Sequence, residues 1–374
     1  MRPPLAVALL VVLAAGCTGP QPRPAPPAPS SPVAPGEPLT MTIPRASHTA
    51  TRLPDGRVLI AGGCSEQGCE GMDRAARADL YDPADRRFRA GPAMTVARAG
   101  HTATALRDGR VLITGGYGAE GRAPWSSAET YDPAKGAFVS AGSMVDGRGS
   151  HTATLLADGR VLVVGGVDGR GTLSTVELYD PATGRFTRAA PLPAPRATHG
   201  AALLADGRVL VAGGQSVPGH GNGLLDTALL YDPVANSWRE AGRLAVPKYK
   251  LAVAAVPGGA VVVGGQTADD PGARLATTEV FDPRTGGFTA GPAMAEPRYK
   301  ISDAVALLPD GRFAVAGGYG VEVYGPGGFR PAGTGGYERQ FPAAVALADG
   351  SVLVTGGYDD RTRVTATAFL ATPG

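Results

Sequence analysis

Short apolar runs of four or five residues recur along this chain, each closed by a polar turn. The clearest example starts after Arg148-Gly149-Ser150-His151. Thr152 to Leu156 is apolar and β-prone, Asp158-Gly159 interrupts it, and Arg160 to Val164 returns. Asp-Gly between two such runs predicts a hairpin, because glycine takes positive φ without steric cost. Neither run alternates cleanly with polar residues, as predicted for strands buried on both faces in stacked sheets. Gly165-Gly166 follows, then a variable loop, then a third strand carrying Glu177 and Tyr179. Asp180-Pro181-Ala182-Thr183-Gly184 has the residues of a second turn, and Phe186 opens a fourth strand.

This unit occurs seven times. Its Gly-Gly pairs begin at Gly62, Gly115, Gly165, Gly213, Gly264, Gly317 and Gly356, with intervals of 53, 50, 48, 51, 53 and 39 residues. A period of roughly 50 residues suits a four-stranded propeller blade. An aromatic residue recurs at the start of the fourth strand (Phe88, Phe138, Phe186, Trp238, Phe288, Phe329), as an anchor between blades. Residues 37–43 read as a fourth strand without its first three, and Val364 to Ala371 as a third strand without a fourth. The first would complete the last blade, leaving no open sheet edge where the ring meets itself.

Gly-Gly after the second strand, an aromatic after Glu in the third and an aromatic in the fourth make residues 37–374 resemble the kelch family. The Trp-Asp ending of WD40 repeats is absent. Gly258-Gly259 and Gly325-Pro326 depart locally from the usual turns of blades five and six. The fold expected is all-β: a seven-bladed kelch-type β-propeller, four antiparallel strands per blade, the last blade closed by the N-terminal strand.

The N-terminus has a different composition. Arg2 precedes an apolar run from Leu5 to Ala15, too short to span a membrane and suited to a signal peptide. Leu13-Ala14-Ala15-Gly16-Cys17 resembles a bacterial lipobox, with its Leu one place further from the cysteine than usual. That resemblance implies lipidation at Cys17, and Thr18 after it implies sorting toward the outer membrane. Residues 18–36 are proline-rich and read as an extended stalk, reaching about 50 Å at ~3.1 Å per residue. The expected address is the bacterial cell envelope, with the membrane a partner through Cys17. Outside the cytoplasm Cys64 and Cys69, with four residues between them, would form a disulfide staple.

A net charge of +2 over 374 residues, without a basic block, points away from nucleic acid. Candidate chemistry is sparse. His48, His101, His151 and His199 occupy one repeat position. Equivalent positions on stacked sheets lie about 10 Å apart, too far for one metal, so they read as structural and no metal or cofactor is expected. Copper oxidases of the galactose oxidase type share seven kelch blades but use a Tyr cross-linked to Cys, and here the only cysteines outside the lipobox are the staple. The acids of the first turns, such as Asp55 and Asp158, read as turn formers.

A cation precedes the innermost strand of every blade: Arg45, Arg98, Arg148, Arg196, Lys248, Arg298 and Arg339. Placed around one channel mouth, these would focus a positive potential for an anionic ligand. Two blades differ in detail, reading Pro247-Lys248-Tyr249-Lys250 and Pro297-Arg298-Tyr299-Lys300. The alternative for the cations is pairing with loop acids and carbonyls. The sequence therefore predicts a lipid-anchored binding module for a protein or carbohydrate partner through its basic loop face. A second reading is a mutarotase-like enzyme of acidic sugars, using Arg98, Arg148 and Arg196 with Glu66, Glu70 or Glu120 as the acid. A third is a spacer without a small ligand.

Overall fold

The computed structural model describes residues 39–66, 75–118, 123–219 and 221–374. The leader with Cys17, the stalk, and also Cys69, Glu70, Glu120 and His220 lie outside the described residues. Seven antiparallel sheets form a ring of blades. Blade three is typical: Thr152–Leu155 lines the channel, followed outward by Val161–Val164, Val176–Asp180 and Arg185–Arg188. The N-terminal strand Leu39–Thr40 pairs with Thr367–Ala371 and supplies the fourth strand of blade seven. The ring is closed as the sequence predicts.

The second strand of each blade is wholly buried, as in Val58–Ala61, Val111–Thr114 and Val209–Ala212. The first strands differ from the expectation of burial on both faces. Thr152–Leu155 is partly exposed throughout, because these strands face the channel. Their Thr and Ala content follows from that position. The core lies between blades. Leu39, Met41, Val58, Ile60, Tyr81 and Leu353 form one layer where blade seven meets blade one. The fourth-strand aromatics border these layers, each against the third-strand ring beside it: Tyr81 and Phe88 are 4.8 Å apart, Tyr231 and Trp238 5.0 Å.

The Gly-Gly pair is a point of close approach. Gly165 and Gly166 have φ of 59° and 101°, and a Cβ on Gly165 would come within 2.2 Å of the Arg196 carbonyl oxygen in the next blade. The Gly166 N–H donates to that same oxygen at 2.9 Å. Sequence, turn and blade-to-blade contact are thus one requirement for glycine.

Blade six is irregular. Its segment Phe313–Gly325 is extended throughout, yet Phe313 and Tyr324 stack at 4.9 Å. The segment therefore folds back within Gly317–Gly320 and provides both the second and third strands. The long loop that joins these strands in other blades, such as residues 264–277 in blade five, is absent here.

Candidate functional site

The seven cations expected at the channel mouth are not there as free charges. Arg45, Arg98, Arg148, Arg196, Lys248, Arg298 and Arg339 are 0 to 4% exposed. Each arginine donates to the carbonyl of the first glycine of its own Gly-Gly pair, as Arg148 Nη1 does to Gly165 at 2.6 Å. Five of the seven cations also pair with a buried third-strand acid. Arg45–Asp79 lies at 3.1 Å, Arg98–Glu129 at 3.0 Å, Arg148–Glu177 at 2.8 Å and Lys248–Glu279 at 2.7 Å; Arg298 pairs with Glu322. The acids accept a backbone N–H as well, from Thr42, Thr95, Val145, Ala245 and Ala295. In blade four Leu229 stands at the position of the acid, Arg196 keeps the bonds to Thr227 that Arg148 makes to Thr175, and burial pulls Arg196 down to about 10. In blade seven Arg339 donates to Thr367 and lies over Phe369, 5.3 Å from the ring centre. This engagement has a geometric cause. A guanidinium offers five donors in one plane, and the strand ends offer carbonyls that nothing else satisfies.

The repeat histidines are pegs between blades. Nε2 of His101 lies 3.1 Å from Thr49 Oγ1, that of His199 2.9 Å from Thr152 Oγ1, and that of His48 2.8 Å from Thr355 Oγ1. Burial, then the neighbouring arginines, holds His101 and His199 neutral, with pKa values of about 3. Among the described residues, no three His, Cys, Asp or Glu side chains gather as a metal site. Cys64 is buried and disulfide-bonded.

Immediately before each histidine position stands a residue to which the sequence analysis assigned no role. Ser47, Gly100, Ser150, Thr198, Lys250, Lys300 and Phe341 all adopt left-handed backbone, with φ from 52° to 59°. Their peptide groups form a closed ring. Gly100 N–H donates to Ser47, Ser150 to Gly100, Thr198 to Ser150, Lys250 to Thr198, Lys300 to Lys250, Phe341 to Lys300 and Ser47 to Phe341, at 2.9 to 3.3 Å. This ring rims a channel cavity of about 620 Å³. Four of its positions hold small residues. Blades five and six place lysines there.

Lys300 is the centre of a polar and aromatic cluster. It donates to Tyr358 Oη at 2.8 Å and Gln340 Oε1 at 3.1 Å, both neutral acceptors. Its Nζ lies 4.8 to 5.3 Å from the ring centres of Tyr299, Phe341 and Tyr358. Lys250 lies 4.6 Å from the centre of the Tyr249 ring. Arg274 packs on Tyr299 at 4.6 Å and donates to Glu338 at 2.7 Å and Asp360 at 2.8 Å. Burial, and after it the charge of Lys250, lowers Lys300 to about 8. Burial also raises the Tyr358 phenol, so it stays protonated. Two ammonium groups rimmed by aromatic faces above a cavity can hold an anion with an attached apolar or sugar-like body.

The Kelch motif family matches residues 148–193. An F-box/kelch-repeat protein of Arabidopsis thaliana is 36% identical over 88 residues, which is 24% of this chain and 22% of that protein. The chain thus spans about a fifth of its plant relative's length. A fungal alcohol oxidase of the AA5 family, solved in complex with copper, superposes with a TM-score of 0.72 at 17% identity, over 90% of this chain and 76% of that one. The match to the motif falls on the blade that carries the fullest copy of the repeat. The chain is a kelch-repeat β-propeller.

Within the kelch framework, the oxidase shares the fold and no chemistry is carried over from it. The kelch propeller fold of this chain suits a binding or scaffold module. In this one the repeat consumes the arginines and histidines, and blades five and six place two partly exposed lysines on the ring. The sequence did contain a signal for this: Tyr-Lys replaces the small residue of the ring only in blades five and six. Arg274, Glu338, Gln340, Asp360 and Asp303 gave none, because neighbouring loops bring them together. Among the other loop aromatics, Tyr117 bonds Ser150, Trp125 donates to the Ala97 carbonyl, and Tyr319 is 56% exposed.

Proposed function

We propose that this kelch propeller is a binding module for a carboxylate-bearing ligand, presented by a protein partner or an acidic glycan, at the mouth over blades five to seven. The observation that carries this reading is the pair Lys250 and Lys300 on the left-handed ring. A long charged side chain is held at a position that favours small residues, facing neutral acceptors and aromatic rings. Blade six adds access, since it lacks the loop that other blades carry beside the mouth. The mutarotase-like reading loses the residues it relied on, because Arg98, Arg148 and Arg196 are buried and engaged.

The same reading places the module on the bacterial cell envelope, anchored by lipid on Cys17 and held off the membrane by the proline-rich stalk. The support is the leader and the composition of residues 1–36. Among the described residues, no helix is long and apolar enough to cross a membrane. Cys17→Ser should move the protein from the membrane fraction to the soluble one; unchanged membrane partition would remove this part of the proposal.

The binding test is calorimetric titration with a glutamate-rich peptide and with an acidic monosaccharide. Lys250→Ser/Lys300→Ser keeps residue types that the ring already holds at Ser47 and Ser150. Loss of roughly tenfold or more in affinity is expected for this variant, given two charge-assisted contacts. Equal affinity for variant and parent would overturn the reading.

A further inference from the structure

The cavity under the lysine rim carries a second polar feature. Asp303 lines it from the inner segment of blade six, part of its surface open to the cavity and the rest enclosed by neighbouring blades. It is the sole carboxylate among the residues that line the cavity. The rest of that lining is Gly, Thr, Ser, Ala, Val and Leu, the neutral histidines, Phe341 and the two lysines at the rim. Ser302 Oγ donates to Asp303 Oδ2 at 3.2 Å, and the Ala344 N–H fixes the Asp303 carbonyl at 2.8 Å. No arginine or lysine pairs with it within 4 Å in the described ion pairs. Burial raises its pKa to about 6.

An acid half-buried in a largely uncharged channel without a cationic partner is costly, and a ligand cation would reduce that cost. Two ammonium groups at one end of a cavity and one carboxylate within it form a dipolar template. The volume of about 620 Å³ lies in the range of small-molecule sites. Leu251, Val253 and Val305 supply apolar wall around it.

We propose that the cavity takes a small dipolar molecule, an ω-amino acid with an aliphatic spacer, its carboxylate at Lys250 and Lys300 and its ammonium at Asp303. This rests on the anion-binding mouth proposed above and goes further, since that reading requires nothing of Asp303.

The test titrates the full chain with hexanoate, hexylamine and 6-aminohexanoate, in parallel with Asp303→Asn and Lys250→Ser/Lys300→Ser. The amino acid should bind roughly tenfold tighter than hexanoate, the gain of one charge-assisted pair. Asp303→Asn should abolish that preference while leaving hexanoate binding unchanged, and the lysine variant should weaken both acids. Asn is close in shape to Asp, and a melting temperature at or above that of the parent shows that the variant is folded. Equal binding of hexanoate and 6-aminohexanoate by the parent overturns the inference and leaves the anion-binding mouth standing. A preference that survives in Asp303→Asn also overturns it. Failure of every carboxylate to bind overturns both readings.

Discussion

Arg148 and Glu177 meet at 2.8 Å with neither side chain exposed to solvent. The pair ties the entry to the inner strand of blade three to its third strand, and Glu177 also accepts the Val145 N–H. Breaking a buried pair from one side leaves an uncompensated charge, at a cost of about 3–5 kcal/mol. Arg148→Ala should therefore destabilise the propeller by that order in urea denaturation. Arg196 has Leu229 where Arg148 has Glu177 and bonds only neutral acceptors such as Thr227, so Arg196→Ala strands no charge and costs about 1–3 kcal/mol. The predicted order is Arg148→Ala worse than Arg196→Ala; the reverse would mean that the acid is not what makes the cation necessary.

Closure of the ring depends on a short strand. Leu39 and Met41 are 2% and 3% exposed against Leu353 and Tyr81, and Leu39 lies opposite Ala368. A chain beginning at residue 44 loses both side chains and exposes the edge of Thr367–Ala371. The lost burial is worth about 3–6 kcal/mol at ~1.5–3 kcal/mol per side chain. Differential scanning calorimetry should show a clear fall in Tm relative to a chain beginning at residue 37. An unchanged Tm would show that blade seven does not need its fourth strand.

The histidine pegs make the fold sensitive to acid. His101 and His199 are held at about 3 in the folded state, against the ordinary 6.5. The unfolded chain binds more protons between those values, so stability is full above pH 6.5 and declines as pH falls toward 3. His101→Gln and His199→Gln remove the titrating group while keeping a polar end for Thr49 or Thr152. Each should flatten the stability profile between pH 6.5 and 3. A slope as steep as that of the parent would contradict the assignment.

Anion binding at the rim should depend on alkaline pH. Lys300 titrates at about 8 under the influence of burial and of Lys250, with Arg274, Asp269 and Asp360 also acting on it. A bound carboxylate favours the charged amine. Affinity should therefore hold below pH 8 and fall above it, approaching tenfold per pH unit for one coupled proton. Calorimetry in buffers of different ionisation enthalpy would register the proton taken up. Flat affinity from pH 7 to 9 would place the anion elsewhere.

The architecture was legible in the sequence because it repeats. Gly-Gly, Asp-Gly and Asp-Pro fix φ and hydrogen bonding locally, and the missing strand at one end matched the surplus at the other. The roles of Arg148 and its counterparts were harder to read. A cation in every blade is equally compatible with a charged mouth and with a repeated internal bond. The recurrence of Glu177, Glu129 and Asp79 at one third-strand position was the signal for the bond. The site itself was legible only as an irregularity, Lys250 and Lys300 in place of Ser or Thr. Asp303 and Arg274 gain meaning only once the blades are closed into a ring.

The central claim is that the repeat cations hold the fold and the two ring lysines hold the ligand. Its most direct measurement sets Arg148→Ala and Lys250→Ser/Lys300→Ser side by side, each scored for Tm and for affinity toward a glutamate-rich peptide at a temperature where both are folded. The account predicts that Arg148→Ala lowers Tm and keeps affinity, whereas the lysine variant keeps Tm and loses affinity. Affinity lost in Arg148→Ala and retained in the lysine variant would contradict it.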